Sequence, residues 1–348
     1  MSVVCFDADV LGRERTGDET YAVNLLRELG PLAGDAGIRL VAITRRPDLV
    51  PDGVDSFELP ARSQEVRMAW SLPRALRRLG ADLCHTQHAL PLRPPCPCAV
   101  TVHDLSFERD PRLMSRKDRA IFRAAVPRAV RRAARVLTVS ERTKRDLVEL
   151  YRVRPEKIVV APNGVDPAFH PLATSDADTA SNSLLQSPFV LAVGAIERRK
   201  NQLVALEAAG EAGLPLVIVG PEKDTALAAE LRRRGARLEG YVTTERLAEL
   251  YRGAACVVHS SRYEGFGLPV LEAMASGTPV VAVPDLAVRE VAGGAAVLVE
   301  ETALADGIRR AIRDRDRLVA AGLERARAFS WRAAAERTLA VYGEILGR

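Results

Sequence analysis

Two carboxylates that flank a glycine-bearing loop are the side chains of this sequence whose types and spacing best suit chemistry. Glu264 and Glu272 enclose residues 265–269, which read Gly-Phe-Gly-Leu-Pro. Glycines let backbone N–H groups approach a ligand closely, and proline favours the first turn of a helix. Because helix N-termini attract anions and carboxylates accept hydrogen bonds from hydroxyl groups, the spacing predicts a binding site for a phosphorylated sugar. The alternative is an ordinary helix whose acidic residues suit its dipole.

The two carboxylates have different expected partners. Glu272 lies about one turn inside the predicted helix, with its side chain leaning back toward the N-terminus, and we assign it to ribose hydroxyls. Glu264 stands at the entry of the loop, and we assign it to the sugar that is transferred.

Cleavage of a sugar–phosphate bond leaves negative charge on the departing pyrophosphate, so such a site needs cations. Arg199 and Lys200 follow a strand-like run and are the expected cations, since fixed positive charge in a water-poor site stabilises developing negative charge. Arg198 competes with Arg199 for this role. A solvated Arg-Arg-Lys turn is the other interpretation.

Two Asp-x-Asp motifs could instead hold a divalent metal ion. Asp176 and Asp178 lie in a segment without a rigid frame. Asp7 and Asp9 end the first strand-like run, where one should face each side of a sheet, and a structural or acceptor-site role is expected for them. We therefore predict that the site holds no metal and uses no cofactor.

Short β-branched runs alternate with helical patterns, which is typical of doubly wound parallel sheets of the α/β class. A first set of strands is expected at residues 3–9, 38–44, 82–86, 99–103, 136–140 and 158–161. Residues 171–188 have a linker composition, and a second set is expected at 190–195, 216–219, 237–238, 256–259, 280–283 and 296–299. Ligands of such sheets bind beyond the carboxyl ends of the strands. Asn163 and Gly164 are expected to form a tight turn.

The composition is that of a globular protein with two cores. The 348 residues are 47% hydrophobic, and no run of about 18 apolar residues occurs. The N-terminal run lacks a basic leader, so we expect a cytoplasmic protein. The five cysteines are scattered, and Cys96-Pro-Cys98 lacks the second pair of a zinc site, so neither disulfides nor a metal centre are expected there.

Much of the net charge of +5 arises from residues 109–135, which show an apolar stripe at helical spacing with arginines around it. Such a helix could contact an anionic membrane, at the inner membrane surface, or attract a phosphorylated acceptor. The stripe could equally pack on a sheet, and Arg128 would then be replaceable. No platform of aromatic and basic residues accompanies the charge, so nucleic acid is not an expected partner.

Residues 240–283 resemble the signature of family 4 retaining glycosyltransferases. The resemblance lies in Gly240-Tyr-Val, Ser260, Glu264-Gly-Phe-Gly-Leu-Pro, Glu272-Ala-Met-Ala and Gly277-Thr-Pro-Val-Val, and extends to Val102-His-Asp-Leu105, Asn163-Gly-Val-Asp166 and Gly194-Ala-Ile-Glu-Arg-Arg-Lys-Asn201. It implies the GT-B fold, with two Rossmann-like domains facing an interdomain cleft. We expect an acceptor-binding domain at 1–170, a linker at 171–188, a donor domain at 189–330, and a C-terminal helix at 331–348 that crosses back to the first domain.

The resemblance also implies roles for single residues. His103 would hydrogen-bond the transferred sugar, and a glycine loop, in which Gly17 is preferred, would approach the donor phosphates. Tyr241 and Val242 would contact the nucleobase, while His85 and His88, near the end of another strand, are expected on the acceptor side. The expected catalytic residues are thus His103, Arg199, Lys200 and Glu264, and the expected donor-binding residues are Gly17, Gly194, Tyr241, Val242, Gly265, Phe266, Gly267, Leu268 and Glu272.

The implied activity is transfer of a hexose from a nucleoside diphosphate sugar to a sugar, a lipid-linked glycan or a small-molecule acceptor. The family implies retention of configuration. No nucleophile is evident on the far face of the sugar, so we expect front-side displacement without a metal, and the alternative is Glu264 as a covalent nucleophile. Glu-x-Arg-Lys-Asn at 197–201 points to GDP-mannose. The alternative is a sugar-nucleotide-binding protein without catalysis. A nicotinamide dehydrogenase is disfavoured, because Gly-x-Gly-x-x-Gly is missing after the first strand.

Overall fold

The computed structural model describes residues 1–13, 16–61, 63–110, 116–171 and 188–348. They form two compact units: unit 1 comprises Met1–Gly164 and Ser330–Arg348, and unit 2 comprises Val165–Phe329. The boundary follows Gly164, ahead of the expected limit at 170, and the C-terminal residues belong to unit 1. Most of the expected linker, with Asp176 and Asp178, lies outside the described residues.

Unit 1 is built on a seven-stranded sheet with the order β3-β2-β1-β4-β5-β6-β7. Its strands all pair in parallel, and the central ones are buried apolar runs, as expected for a sheet covered on both faces. They are β1 (Ser2–Asp7), β2 (Ile38–Thr44), β3 (Asp55–Glu58), β4 (Leu83–Gln87), β5 (Cys98–Val102), β6 (Arg135–Thr138) and β7 (Ile158–Val160). Cys5, Cys84 and Cys98 are paired neighbours on β1, β4 and β5, and all are free thiols.

Helices connect these strands. They are α1 (Thr16–Asp35), α2 (Gln64–Val66), α3 (Leu72–Leu79), α4 (Ser106–Arg109), α5 (Arg116–Arg132) and α6 (Glu141–Tyr151), with a π-helical turn at Arg67–Ser71 and 3₁₀ turns at Pro47–Leu49 and Pro155–Lys157. The Ser140 side chain caps α6 by accepting a hydrogen bond from the backbone N–H of Thr143.

Helix α5 packs its apolar stripe on the sheet. Val126, Ala129 and Val130 are fully buried in the core of unit 1, while Ile121, at the start of the helix, is 45% exposed. Arg128 is not a solvated residue, because its guanidinium donates hydrogen bonds to the carbonyl oxygens of residues 90, 91 and 92. The expectation that Arg128 is replaceable assumes a solvated side chain. This assumption is wrong, because the side chain holds a loop.

Unit 2 contains a six-stranded parallel sheet with the order β10-β9-β8-β11-β12-β13. Its strands are β8 (Val190–Val193), β9 (Leu216–Val219), β10 (Arg237–Gly240), β11 (Cys256–His259), β12 (Val280–Ala282) and β13 (Val297–Leu298). Its helices are α7 (Gln202–Glu211), α8 (Thr225–Arg233), α9 (Thr244–Gly253), α10 (Leu268–Ala275), α11 (Leu286–Ala292), α12 (Leu304–Arg313) and α13 (Arg315–Ala326), with 3₁₀ turns at Arg198–Lys200 and Glu301–Ala303. The strand order reverses between β8 and β11, which is where open α/β sheets bind ligands.

The last helix, α14 (Trp331–Leu346), packs against α1 in unit 1. Gly164 passes its start so closely that a Cβ at this position would lie 2.0 Å from the backbone nitrogen of Trp331. The expected tight turn at Asn163 and Gly164 is wrong: the glycine is required by this close approach of two backbone segments. None of the helices in the described ranges has the length and apolar content needed to traverse a lipid bilayer.

Candidate functional site

The turn after β8 brings a lysine back against the end of its own strand. Gly194 follows β8 with φ of 139°, and a Cβ there would lie 3.1 Å from Cε of Lys200. Any larger residue at 194 would displace the lysine, so the predicted glycine makes room for the predicted cation. Asn201, with φ of 54°, ends the turn and begins α7.

A compact ionic cluster joins this turn to the loop after β11. The Lys200 ammonium lies 2.6 Å from Oε1 of Glu264, and the Arg199 guanidinium lies 3.2 Å from Oε2 of the same carboxylate. These side chains are only 9–16% exposed, so they are not a solvated turn. Arg198, by contrast, is 80% exposed. Arg199, and not Arg198, is therefore the arginine that belongs to this cluster.

The cluster keeps Glu264 ionised. Burial alone would raise the pKa of Glu264, but the adjacent Lys200 and Arg199 hold that pKa well below its ordinary value. A carboxylate that is charged at neutral pH fixes both cations and retains further lone pairs with which to accept hydrogen bonds.

His259 is a member of this cluster that the sequence analysis missed. It is the last residue of β11, is 3% exposed, and places Nε2 3.3 Å from Oε1 of Glu264. The sequence gives little sign of His259 because it ends an apolar run. A polar residue that ends a strand where the strand order reverses can nevertheless indicate a binding site. Next to it, the Ser260 hydroxyl donates to the carbonyl oxygens of Lys200 and Asn201 and so ties the two loops together.

The glycine-bearing loop continues from Glu264 into α10 as predicted from the sequence. Gly267 is the N-cap of α10 with φ of 106°, a left-handed conformation that favours glycine, and Pro269 lies in the first turn. The Phe266 side chain is buried and contacts the edge of Phe329, so the loop presents its backbone and not this ring. Gly265 and Leu268 flank these residues at the N-terminus of the helix.

Glu272 lies one turn inside α10 and is 8% exposed. Its Oε2 accepts a hydrogen bond of 2.8 Å from the Tyr251 hydroxyl. Burial raises the pKa of Glu272 to about 7, and the charge of Asp166 acts in the same direction. At the β10 edge of the sheet, Tyr241 is 55% exposed just after the strand, with Val242 half-buried beside it.

In unit 1, His103 directly follows β5, with its ring against the edge of Tyr21 and Nε2 2.8 Å from Oε1 of Gln87. Burial lowers the pKa of His103 to about 4, so the imidazole is neutral at physiological pH. His88 follows β4 in a left-handed conformation with φ of 59°, and its ring centre lies 5.2 Å from that of His103.

His85 does not line an acceptor site, and this expectation is wrong. The residue is fully buried, with Nδ1 2.6 Å from the Tyr342 hydroxyl and Nε2 2.7 Å from the Thr101 hydroxyl. Both ring nitrogens are thus engaged within unit 1, and burial lowers the pKa of His85 to about 3.

Two further expectations about unit 1 need correction. Helix α1 begins at Thr16, so Gly17 lies within its first turn and not ahead of it, and a Cβ at Gly17 would meet no atom within 4 Å. Asp7 and Asp9 do not face opposite sides of the sheet, because both contact the buried Arg67, at 2.7 and 3.3 Å. This arrangement fits the expected structural role of the Asp-x-Asp pair.

Comparisons with known proteins place both halves of the chain. Residues 15–169 match the family model Glycosyltransferase Family 4, and residues 175–329 match that of the glycosyl transferases group 1. O-antigen chain mannosyltransferase B of Escherichia coli is 28% identical over 266 residues, which span 70% of this chain and 69% of that protein. D-inositol 3-phosphate glycosyltransferase 1 of Catenulispora acidiphila is 30% identical in an alignment of 385 positions, which covers 95% of this chain and 91% of that protein.

Among solved structures, sucrose-phosphate synthase from Thermosynechococcus elongatus superposes with a TM-score of 0.79 over 100% of both chains at 21% identity. With the two doubly wound parallel sheets, this similarity defines the α/β GT-B fold, as the sequence predicted. The chain belongs to glycosyltransferase family 4 and is an enzyme that transfers sugars.

Proposed function

We propose that this enzyme transfers a hexose from a nucleoside diphosphate sugar to a glycan, lipid-linked or small-molecule acceptor, with retention of anomeric configuration and without a metal ion. The observation that carries the proposal is the ionic cluster of unit 2, in which Lys200 and Arg199 are held by Glu264 at the reversal of strand order. Two cations with little exposure at this place suit a diphosphate.

The residues of unit 2 divide the donor between them. Lys200 and Arg199 meet the pyrophosphate, and backbone N–H groups around Gly267 at the N-terminus of α10 add to the positive potential. Glu264 accepts hydrogen bonds from hydroxyls of the sugar, and Glu272 accepts them from the ribose. The exposed ring of Tyr241 offers a flat face to the nucleobase.

In unit 1, His103 is the proposed partner of a hydroxyl of the transferred sugar. Its imidazole is neutral, because burial keeps the pKa at about 4, and a neutral imidazole can both donate and accept a hydrogen bond.

Front-side displacement is the proposed route to retention. The acceptor oxygen forms a bond to the anomeric carbon on the face from which the diphosphate departs, and the acceptor proton passes to the departing phosphate oxygen. Lys200 and Arg199 stabilise the charge that the diphosphate gains, so these side chains supply what a metal ion supplies elsewhere.

GDP-mannose is the proposed donor, on the residues at 197–201 and on the name of the Escherichia coli relative, a mannosyltransferase. The two relatives act, by their names, on an O-antigen chain and on an inositol phosphate. Acceptors therefore differ within the family, and both chemistries belong in a screen.

The deciding experiment screens nucleotide sugars by thermal shift, since a ligand that binds only the folded state raises Tm. GDP-mannose should give the largest shift, and transfer from the selected donor to a panel of acceptors is then assayed. NMR of the product should show the anomeric configuration of the donor, and EDTA should leave turnover unchanged. An inverted product would contradict the retaining mechanism, and loss of turnover in EDTA would contradict metal-independent catalysis.

A further inference from the structure

Three ligand-type side chains converge in unit 1 where β4 and β5 end and α1 begins. Asp18 lies in the first turn of α1, His88 follows β4 and His103 follows β5. One ligand atom from each lies within 4.8 Å of the other two, and this is the only such group of His, Cys, Asp or Glu residues in the described ranges. We call these residues the imidazole cluster.

A buried polar atom without a partner belongs to the imidazole cluster. Nδ1 of His88 is inaccessible to solvent and has no hydrogen-bond partner among the described residues. Such an atom costs about 1–3 kcal/mol, so it points to a ligand. His88 is also held in a left-handed conformation, with its backbone N–H bonded to the carbonyl oxygen of Thr101, which aims its ring at the cluster.

The His103 ring is oriented for a ligand role. Tyr21 contacts it edge-on at 4.6 Å between ring centres, and the Thr143 hydroxyl donates a hydrogen bond to its backbone carbonyl. Nε2 lies 4.0 Å from Oδ1 of Asp18 and 2.8 Å from the amide oxygen of Gln87. A neutral imidazole is the form that ligates metals. An ion here would replace the bond between Nε2 of His103 and Gln87.

We propose that Asp18, His88 and His103 bind one divalent cation of the borderline class typified by Zn²⁺. A set of two imidazoles and one carboxylate favours Zn²⁺ over Mg²⁺ or Ca²⁺. Three protein ligands leave one coordination position of the ion open. The ion takes no part in catalysis. The ion occupies His103, which the proposed function assigns to the transferred sugar, so binding of the ion inhibits transfer. The inhibition, unlike the binding, rests on the proposed function.

Binding is tested on the full chain with Zn²⁺ alone, by competition with a chromophoric chelator. We expect one equivalent, with affinity about tenfold or more lower in both Asp18→Asn and His88→Gln. Matched controls are His170→Gln, which removes an exposed histidine of unit 2, and Cys96→Ser, which removes a partly buried thiol; both should bind like the wild type. Equal Tm values establish that the variants fold.

Co²⁺ provides an independent readout, because its absorption spectrum distinguishes thiolate from imidazole ligands. A spectrum without a thiolate charge-transfer band, which changes in Asp18→Asn, is expected. Absence of stoichiometric binding, a thiolate band, or wild-type affinity in both cluster variants would overturn the proposed cation site.

Inhibition is measured separately, with the donor and acceptor identified in the screen. Zn²⁺ should lower wild-type turnover, and Asp18→Asn should need about tenfold more Zn²⁺ for the same loss. Equal sensitivity of Asp18→Asn would overturn the site as the cause of inhibition. Binding without inhibition would leave the cation site standing and contradict the assignment of His103 to the sugar.

Discussion

The two units use the same kind of sheet but place charge at their strand ends in opposite ways. In unit 2 the charges around Glu264 lie just beneath the surface, with Arg199 and Lys200 still 16% and 13% exposed. In unit 1 the charges at the end of β1 centre on Arg67, which is fully buried between Asp7 and Asp9, while Arg13 and Arg45 pair with Asp9 from the more exposed side. Topology thus selects where a site forms, and the side chains at the strand ends decide what it can bind.

The largest expected effect tests whether the charges of unit 1 are structural. Arg67→Met leaves the buried carboxylate of Asp7 without its cation, although Asp9 keeps Arg13 and Arg45, and should lower the free energy of unfolding by about 3–5 kcal/mol. Both tryptophans, Trp70 and Trp331, belong to unit 1, so tryptophan fluorescence in a urea titration follows this unit. The control Arg39→Met breaks an exposed pair with Asp55 and should cost at most about 1 kcal/mol. Equal losses of unfolding free energy in the two variants would contradict a structural role for the buried charges of unit 1.

The next effect tests whether the charges of unit 2 are functional. Lys200→Ala should lower turnover by about 10²–10³, because the departing diphosphate loses a fixed cation, while Arg199 still pairs with Glu264. The measurement is kcat with saturating nucleotide sugar. Lys223→Ala, which removes a lysine that is 58% exposed, is the matched control and should retain wild-type turnover. A fully active Lys200→Ala would refute the account of leaving-group stabilisation.

A smaller effect is expected from His259, which contacts Glu264 and not the donor. His259→Leu removes the polar contact of 3.3 Å between Nε2 and the Glu264 carboxylate and should lower kcat about tenfold. His259→Gln reaches a similar position with an amide nitrogen and should restore most of the loss, whereas a residue needed only for packing would be replaced better by leucine. The comparison of kcat and KM for the donor in both variants measures this, and equal kcat values would contradict a positioning role.

The smallest effect is a pH dependence of donor affinity. The pKa of Glu272 is raised to about 7 by burial, so the side chain gains a proton as pH falls through 7 and becomes a poorer acceptor for ribose hydroxyls. Donor affinity should therefore rise about threefold to tenfold from pH 6 to pH 8, within the tenfold per pH unit that a single ionisation allows. Titration calorimetry at several pH values measures this, and Glu272→Gln should give a flat profile. A flat wild-type profile would mean that the Glu272 carboxyl does not bind the donor.

Most strands were predictable from the sequence because β-branched runs in buried parallel sheets have few alternatives. Ile38–Thr44, Leu216–Val219 and Cys256–His259 have the predicted bounds. The edge strand Asp55–Glu58 was missed, since it pairs on one side only and its exposed acidic residues have low β propensity. Its formation depends on β2, which a local pattern does not reveal.

The sequence predicted those parts of the candidate site that consist of local motifs. It did not predict the parts that depend on contacts between residues far apart in the chain. The 3₁₀ turn with Arg199 and Lys200 and the loop from Glu264 to Gly267 are short segments whose residue types limit their geometry. His85 was misjudged because its partner, Tyr342, lies 257 positions away. The choice between Arg198 and Arg199 needed the direction of each side chain, which spacing does not give.

Residues 330–348 return to unit 1, so the unit whose synthesis starts first is not the unit whose residues are complete first. During translation unit 2 has all its residues once Phe329 has been added, whereas unit 1, although begun first, still lacks α14 and the hydroxyl that binds His85. The backbone contact at Gly164 also forms only when Trp331 has emerged. Unit 1 is therefore the unit whose residues are completed last, and a nascent chain stalled before residue 330 should expose the face of α1 that α14 covers.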